Sequence, residues 1–262
     1  MLKVENTEIF GWEAAIRGCR NALNSWSKSD SWFYDENVEG NIYGHTIAID
    51  LDGFPTRQDT DLTELPEEIQ SKYQRYPLCI IGPNDCKLMT NLCKGGSEES
   101  KWRRFVHVTC DITAPLYFYK ELDTYRAGVE KNSCSTMHKI HAKEFTKDGF
   151  SCEHLMSSEE HINDCELSNG SVVGDFDKAL DVTIMALNDA RTLYLQTKEK
   201  CFWYQMIQLL PSSYNQRRTY EFNYESLANI YRQRKNHKLD CWRDFCSFIE
   251  HLPYSEFITL GN

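Results

Sequence analysis

The chain has 262 residues, of which 41% are hydrophobic and 26% are charged, and its formal net charge is -10. This composition is typical of a folded globular protein rather than a disordered, collagen-like or membrane-embedded one. The acidic balance disfavours a protein that binds the phosphate backbone of nucleic acid, and no apolar run reaches the ~20 residues that a membrane span needs. We expect no nucleic-acid or membrane partner and, because no basic and apolar leader begins the chain, a cytoplasmic location.

Eleven cysteines and eight histidines are scattered along the sequence. The number of cysteines is odd and none form a C-x-x-C pair, which favours buried, reduced thiols over a disulfide framework or a zinc site. His138 and His141 lie three residues apart, but no further ligand pattern accompanies them. We predict no metal site.

Apolar periodicity predicts a chain dominated by helices, with few strands. The predicted helices cover residues 9–23, 82–94, 98–104, 116–125, 175–198, 201–210, 223–234 and 239–252. The predicted strands cover residues 43–50, 78–81, 105–112 and 214–222. No repeat, linker or low-complexity tract divides this order, so the sequence predicts one α+β domain over 1–262, with a small mixed sheet packed by several helices.

Three polar stretches separate these elements. Residues 24–31 are dense in hydroxyls and are typical of a solvated loop. Because hydroxyls, backbone N–H groups and Lys28 also suit an anion, a phosphate-binding loop is the alternative. Residues 126–137 are predicted to be a loop of small polar side chains, and the acidic stretch 148–174 is predicted to lie at the surface.

The helix predicted over 223–234 carries a candidate binding face. Asn223 and Arg234 are eleven residues apart, close to three turns, so they share one face, and Asn229 covers the neighbouring face. Together with Arg217 and Arg218 on the preceding strand, these side chains suit an anionic, hydrogen-bonding ligand such as a nucleotide. A solvated helix face with ordinary salt bridges is the alternative.

In these features the sequence resembles the flavin-dependent thymidylate synthases. A predicted strand runs into Ala114-Pro-Leu116, similar to the family's strand followed by A-P-[IL] at a helix start. A later segment is similar to the family's L-P … N-x-x-S-L-x-N-x-x-x-x-R in both residues and spacing: Leu209-Leu-Pro211, Asn223, Ser226-Leu227, Asn229 and Arg234. The resemblance covers roughly 82–145 and 175–250 and leaves an unassigned insertion at about 25–80.

The family's signature, R-H-R-x-x-S-x-N-E-x-S-x-R-Y, is degenerate in this chain. Its R-H-R falls on Thr124-Tyr125-Arg126, so only Arg126 matches. The family's glutamine before the signature is Glu121 here, and the arginine that precedes L-P in many members is Ile207. The chain therefore resembles a divergent member, whose scaffold matches the family better than its site does.

The resemblance implies a homotetramer that binds FAD and methylates dUMP to dTMP, with NADPH and methylenetetrahydrofolate as co-substrates and without a cysteine nucleophile. It implies that Arg234 is catalytic and holds the uracil ring. The substrate-binding residues that it implies are Glu121, Ser133, Ser135, Arg217, Arg218 and Arg234. The FAD-binding residues that it implies are Arg126, Asn132 and Asn229.

Other functions remain open at the level of the sequence. The same fold and flavin could make a different C5 modification of a pyrimidine nucleotide. A non-catalytic nucleotide-binding protein on the same scaffold is a second alternative, and a helical protein unrelated to the family is a third.

Overall fold

A computed structural model of the chain describes residues 2–33, 47–49, 55–57, 79–157 and 175–260. The α-helices in these ranges are α1 Trp12–Asn21, α2 Pro83–Lys94, α3 Leu116–Leu122, α4 Phe176–Thr197, α5 Lys200–Leu209, α6 Tyr224–Arg234, α7 Asp240–Glu250 and α8 Glu256–Thr259. The strands are β1 Lys3–Phe10, β2 Trp32–Phe33, β3 Ile47–Ile49, β4 Pro55–Arg57, β5 Cys79–Ile80, β6 His107–Pro115, β7 Val129–Ser133 and β8 Asn215–Asn223.

Four of the strands form one sheet, in the order β1-β6-β8-β7. Side-chain and backbone contacts connect the first residues of each strand with the last residues of the strand beside it in the sheet. Each pair of adjacent strands is therefore antiparallel. Two short antiparallel pairs, β2-β5 and β3-β4, stand apart from this sheet. The predicted α+β class is confirmed, and the small sheet is antiparallel rather than mixed.

The chain divides into two compact units. Unit 1 consists of Met1–Lys3, Ile112–Thr124 and Asn132–Arg218. Unit 2 consists of Val4–Asp111, Tyr125–Lys131 and Thr219–Asn262. One domain over 1–262 stays a prediction.

The core of unit 1 is built on the apolar stripe of α4. Asp175 begins this helix by accepting a hydrogen bond from the backbone N–H of Lys178 at 2.9 Å. The stripe packs against Met206 of α5, and its buried members are Leu180, Ile184, Leu187 and Ala190. Phe176 and Leu193 continue the stripe at helical spacing, but they are 49% and 41% exposed. The helix predicted over 175–198 is therefore confirmed, and its apolar stripe is buried in the middle and exposed at its two ends.

The core of unit 2 is aromatic. Trp12 of α1 meets the rings of Tyr224 and Tyr254 edge to face, with centroids 5.1 and 5.2 Å apart. Trp242 and Phe245 of α7 are fully buried, and their ring centroids lie 6.1 Å apart. These large rings fix α1 and the C-terminal helices of this unit, which places α6 beside the candidate site described below.

Several predicted boundaries are wrong. Ile9 was placed in the first helix, but it is buried in β1, which precedes α1. The strand predicted over 105–112 begins at His107 and continues to Pro115, and the helix that follows it begins at Leu116 as predicted. The helix predicted over 98–104 is a 3-10 segment, Lys101–Phe105, because the chain must turn there directly into β6.

The loop predicted over 126–137 contains an edge strand, β7. Four of its five side chains, those after Val129, are polar, and their propensity for strands is low. Pairing with β8 decides its conformation, as shown by the hydrogen bond from Cys134 N to Arg217 O at 3.0 Å. Within the predicted strand over 43–50, Ile47–Ile49 is confirmed as β3 and the remaining positions lie outside the described residues. The predicted surface stretch 148–174 likewise falls outside them from residue 158 onward.

The hydroxyl-rich segment 24–31 binds an anion that belongs to the chain itself. Asp85, at the start of α2, accepts hydrogen bonds from the hydroxyls of Ser29 and Ser31 at 2.6 and 2.7 Å and from the backbone N–H groups of Asp30 and Ser31 at 3.1 Å. Arg20 of α1 donates to its other oxygen at 2.7 Å. Burial alone would raise the pKa of Asp85, but these hydrogen bonds hold it below its ordinary value. Ser29 and Ser31 therefore bind the Asp85 carboxylate rather than a phosphate, while most of the segment is exposed, as expected of a solvated loop.

Candidate functional site

A cavity of about 750 Å³ lies within unit 2. It is bounded by the end of α2, the 3-10 segment Lys101–Phe105, the turn before β7 and the first two turns of α6. The residues that line it are Cys93, Lys94, Gly96, Ser97, Arg103, Arg104, Ala127, Gly128, Asn223, Glu225, Ser226, Ala228, Asn229, Arg232 and Leu260. Its volume is in the range of ordinary ligand and cofactor sites.

The first turn of α6 is fixed by a capping box. The Asn223 side chain accepts a hydrogen bond from Ser226 N at 2.8 Å. In turn, the Ser226 hydroxyl accepts a hydrogen bond from Asn223 N at 3.1 Å. Gly128 lies against this cap with φ 67°, and a Cβ there would come within 2.2 Å of Asn223 Nδ2. A side chain at position 128 would therefore displace the amide that begins the helix.

Asn229 lies one and a half turns further along α6 and is half-buried at the cavity wall. Its Oδ1 accepts hydrogen bonds from Arg232 Nη2 and Gln233 Nε2, both at 2.9 Å. Its Nδ2 amino group makes no hydrogen bond within the part of the chain that the structure describes. The side chain is thus oriented by its own helix and presents a donor to the cavity.

Arg103 is the buried cation of this cavity, with only 6% of its surface exposed. Its Nη1 lies 3.7 Å from Glu225 Oε2, which is an ion pair without a hydrogen bond. Among the described residues, Arg103 Nε and Nη2 and Glu225 Oε2 are buried without any hydrogen-bond partner. Unsatisfied buried groups of this kind are uncommon in folded proteins, and a water, an ion or a ligand can satisfy them. Burial raises the pKa of the neighbouring Cys93 thiol, and the Arg103 charge opposes that rise.

The cavity is positively charged although the whole chain carries a formal charge of -10. Its lining holds one carboxylate, that of Glu225, against four cationic side chains: Lys94, Arg103, Arg104 and Arg232. Such a balance in a concave site attracts an anion and holds it more strongly than the same charges would in open solvent. The cavity can therefore bind an anionic ligand that also accepts hydrogen bonds from amides.

Arg234, the predicted catalytic residue, is half-buried at the end of α6. Its guanidinium carbon lies 4.7 Å from the ring centroid of Trp242 and 5.6 Å from that of Tyr125. Its Nε donates to the Tyr125 hydroxyl at 2.9 Å, and that hydroxyl donates to Gln233 Oε1 at 3.1 Å. Two aromatic rings and one hydrogen bond thus fix the plane of the guanidinium.

Another predicted substrate-binding residue, Arg218, has several interactions within unit 1. Its Nη1 donates to both carboxylate oxygens of Asp123 at 3.0 and 3.1 Å, and its Nε donates to Gln216 Oε1 at 2.8 Å. Its guanidinium also lies 3.9 Å from the ring centroid of Tyr119. Arg217, the preceding residue, is exposed on β8. The arrangement explains how Arg218 is held, and its role toward a substrate stays a prediction.

The remaining predicted residues lie at the beginning and end of the signature region. Glu121 is half-buried in α3, whereas Asn132 and Ser133 are exposed on β7. Ser135 is exposed, and its hydroxyl accepts hydrogen bonds from the backbone N–H groups of Met137 and His138, at 3.2 and 2.9 Å. Their assignments to substrate and FAD also stay predictions.

Within unit 2 the structure brings together part of the predicted set. Asn229 lines the cavity, and the exposed Arg126 directly precedes the lining residues Ala127 and Gly128. Arg234 lies in its aromatic cluster on the same helix as Asn229. The predicted residues of unit 1 are Glu121, Asn132, Ser133, Ser135, Arg217 and Arg218.

Two features of the structure were not predicted from the sequence. They are the cationic lining of the cavity and the packing of the Tyr125 and Trp242 rings against Arg234. A signal for Arg103 existed, because two adjacent arginines follow Trp102 in an acidic chain, immediately before a predicted strand. No comparable signal marks Trp242, which reads as an ordinary core residue of an amphipathic helix.

The ten cysteines in the described ranges are free thiols. Burial raises the pKa of Cys19 and Cys110 to about 12 and that of Cys241 to about 11, so these thiols stay protonated and unreactive. In those same ranges no cluster of three or more histidine, cysteine or carboxylate side chains could hold a metal ion. None of the described helices is both long and apolar enough to cross a membrane.

No family model and no curated protein matches the sequence. Solved structures do match the fold. A flavin-dependent thymidylate synthase ThyX from Helicobacter pylori, complexed with FAD and dUMP, is 16% identical, with a TM-score of 0.55 over 97% of this chain and 95% of that one. A second structure of that enzyme with FAD and dUMP is 15% identical, with a TM-score of 0.56 over 100% and 97% of the two chains.

A UMP/dUMP methylase, PolB from Streptomyces cacaoi bound with 5-Br dUMP, is 12% identical, with a TM-score of 0.50 over 95% of this chain and 88% of that one. Similarity at these identities shows the fold and not the reaction. The expected resemblance is confirmed at that level: the chain has the fold of the flavin-dependent thymidylate synthase ThyX.

Proposed function

We propose that this protein is a flavin-dependent enzyme that methylates a pyrimidine nucleotide, with dUMP as substrate and dTMP as product. One observation carries the proposal: the positively charged cavity with the unsatisfied Arg103 lies beside the Asn223–Arg234 segment, on a fold whose solved examples are complexed with FAD and dUMP. The two predicted amides of that segment are both at the cavity wall.

The residues present fit FAD. A dinucleotide supplies two phosphates and many acceptors, and the cavity offers Arg103, Arg232 and the Nδ2 donor of Asn229. Arg126, next to the lining turn, extends the same charged surface. When bound, FAD supplies the hydride that a reductive methylation needs. The chain's own contribution is to bind the anionic part of the cofactor and to keep it oriented.

The role proposed for Arg234 is to bind and polarise the pyrimidine. A guanidinium donates hydrogen bonds to carbonyl oxygens and stabilises negative charge on the ring without losing its proton. The stacking on Trp242 and the hydrogen bond to Tyr125 hold its plane in advance, so little conformational freedom is lost when the nucleotide binds. The resemblance supports a role in nucleotide binding for five further residues as well: Glu121, Ser133, Ser135, Arg217 and Arg218.

NADPH and methylenetetrahydrofolate are the proposed co-substrates, and a homotetramer is the proposed assembly. Apolar side chains on the outside of α4 support association, because Val182 and Met185 are 62% and 66% exposed and lie three residues apart. A cytoplasmic location belongs to the same proposal.

A ribonucleotide substrate is the second candidate. It is supported by the similarity to the UMP/dUMP methylase, and by the degenerate signature, in which Thr124 and Tyr125 replace two of the family's basic residues. The reaction would remain a methylation at C5, with UMP in place of dUMP.

The test is a reconstitution. The purified protein is examined for the visible absorption of bound flavin, before and after incubation with FAD. It is then incubated with NADPH, methylenetetrahydrofolate and either dUMP or UMP, and the methylated nucleotide is measured by mass spectrometry. Product from dUMP supports the proposal, and product from UMP alone supports the second candidate. A protein that takes up no FAD and methylates neither nucleotide would refute both.

A further inference from the structure

A second, smaller cavity lies within unit 1, where α4 ends and α5 begins. Its volume is about 290 Å³, and it shares no lining residue with the cavity of unit 2. The residues that line it are His138, Tyr194, Lys198, Lys200 and Trp203. Two aromatic rings, two ammonium groups and an imidazole thus surround one small space.

The aromatic walls are held in place by the surrounding structure. Trp203 is half-buried, and its indole N–H donates to Met137 O at 2.9 Å, which fixes the plane of the ring. Tyr194 is half-buried, and His141 meets it edge to face with centroids 4.9 Å apart. Aromatic surfaces that are ordered before a ligand arrives can stack on a planar ring without a large loss of freedom.

The cationic side is supplied by the turn between the helices. Lys198 adopts the left-handed conformation, φ 60°, that ends α4, and Lys200 begins α5. Their ammonium groups lie 5.9 Å from the ring centroid of Tyr194 and 5.2 Å from that of Tyr204. Over the ranges described, neither lysine forms a salt bridge, and no lining residue is a carboxylate.

We propose that this cavity binds a planar aromatic ring that carries a phosphate or a carboxylate. The ring stacks between Tyr194 and Trp203, and the anionic group is paired with Lys198 and Lys200. Both parts of the ligand are needed, because the volume is too small for a large apolar group and exposed lysines alone bind anions weakly. The site goes beyond the proposed methyl transfer, since none of its lining residues is among those proposed to bind dUMP or FAD.

A site-specific probe separates this cavity from the nucleotide site proposed for Arg234. The six tryptophans are replaced by 5-fluorotryptophan and observed by fluorine NMR. The Trp203 resonance is assigned by its loss in Trp203→Phe, and the Trp242 resonance, which reports on Arg234, by its loss in Trp242→Phe. The whole chain is titrated with 5′-UMP, a ring that carries a phosphate, and with p-aminobenzoylglutamate, a ring that carries carboxylates.

We expect a saturable shift of the Trp203 resonance with at least one probe, and the probe that is effective identifies the anionic group. In the Lys198→Gln/Lys200→Gln double variant, the midpoint of that shift should rise about 10-fold or more, because both cationic partners are lost. Lys143→Gln, an exposed lysine of the same unit outside the cavity, is the matched control and should not change it.

Two results would overturn the inference. One is the absence of any saturable Trp203 shift at up to about 1 mM of either probe. The other is a Trp203 shift whose midpoint is the same in the wild type and the double variant. A shift of Trp242 without a shift of Trp203 would support the proposed nucleotide site and overturn this one, so the two proposals can fail separately.

Discussion

Replacing Arg103 by methionine tests the cavity of unit 2 most directly. The guanidinium has two nitrogens that are buried without hydrogen-bond partners in the described structure, and its ion-pair partner there is Glu225 at 3.7 Å. If these nitrogens are reserved for a ligand, Arg103→Met must weaken FAD binding while leaving the free protein nearly as stable as before.

The magnitude follows from those atoms. A hydrogen bond to a charged partner contributes about 1.5–3 kcal/mol, so losing one such interaction with FAD weakens binding about 10- to 150-fold. Breaking a fully buried, hydrogen-bonded ion pair would cost about 3–5 kcal/mol of stability. The pair here has no hydrogen bond, and the Glu225 side chain keeps 24% of its surface exposed. We therefore expect the free energy of unfolding without FAD to fall by less than about 2 kcal/mol.

FAD affinity is measured by calorimetric titration, and stability by urea denaturation of the FAD-free protein. Arg17→Met is the matched control, because Arg17 is 62% exposed on α1 and pairs with the similarly exposed Glu13 one turn earlier. This variant should change neither quantity measurably. An unchanged FAD affinity in Arg103→Met, or a stability loss of about 4 kcal/mol or more, would identify Arg103 as a purely structural residue and refute the reasoning.

Three further outcomes are expected. Arg234→Lys should weaken dUMP binding and slow turnover about 10²-fold with flavin content unchanged, because a lysine loses the fixed planar donors; equal dUMP affinities in calorimetry would contradict this. Asp85→Asn should lower the free energy of unfolding by about 3–5 kcal/mol, since it leaves the buried Arg20 without its carboxylate, against less than about 1 kcal/mol for the exposed Glu13→Gln. Because the folded pKa of Asp85 is lowered, its stabilisation is present at neutral pH and should disappear in urea titrations as the pH falls below about 4. Cys134→Ala should leave the turnover rate unchanged, and a loss of activity with normal FAD and nucleotide binding would argue for a thiol mechanism.

Local sequence patterns determined most of the helices of this protein. The apolar stripe of α4 recurs at helical spacing and is capped by Asp175, so its position and buried face could be predicted from residues that are neighbours along the chain. The end of α5 before Pro211 and the start of α6 at Asn223 follow from the same local rules. Asn229 was found because it lies at a fixed offset on a helix that the sequence already defines.

The tertiary structure decided the features whose partners are far apart in sequence. β7 is polar enough to be a loop, and it becomes a strand only because β8 supplies backbone partners more than eighty residues later. In the sequence, the hydroxyls of Ser29 and Ser31 are candidate donors to a phosphate. In the folded chain they donate to Asp85, which lies more than fifty residues later. Arg103 reads as an exposed charge, and only the packing of the 3-10 segment against α6 buries it beside Glu225. The periodicity of apolar residues predicts which face of its own helix or strand a residue lies on. Its burial and hydrogen bonds depend on which segment, distant in sequence, packs beside it.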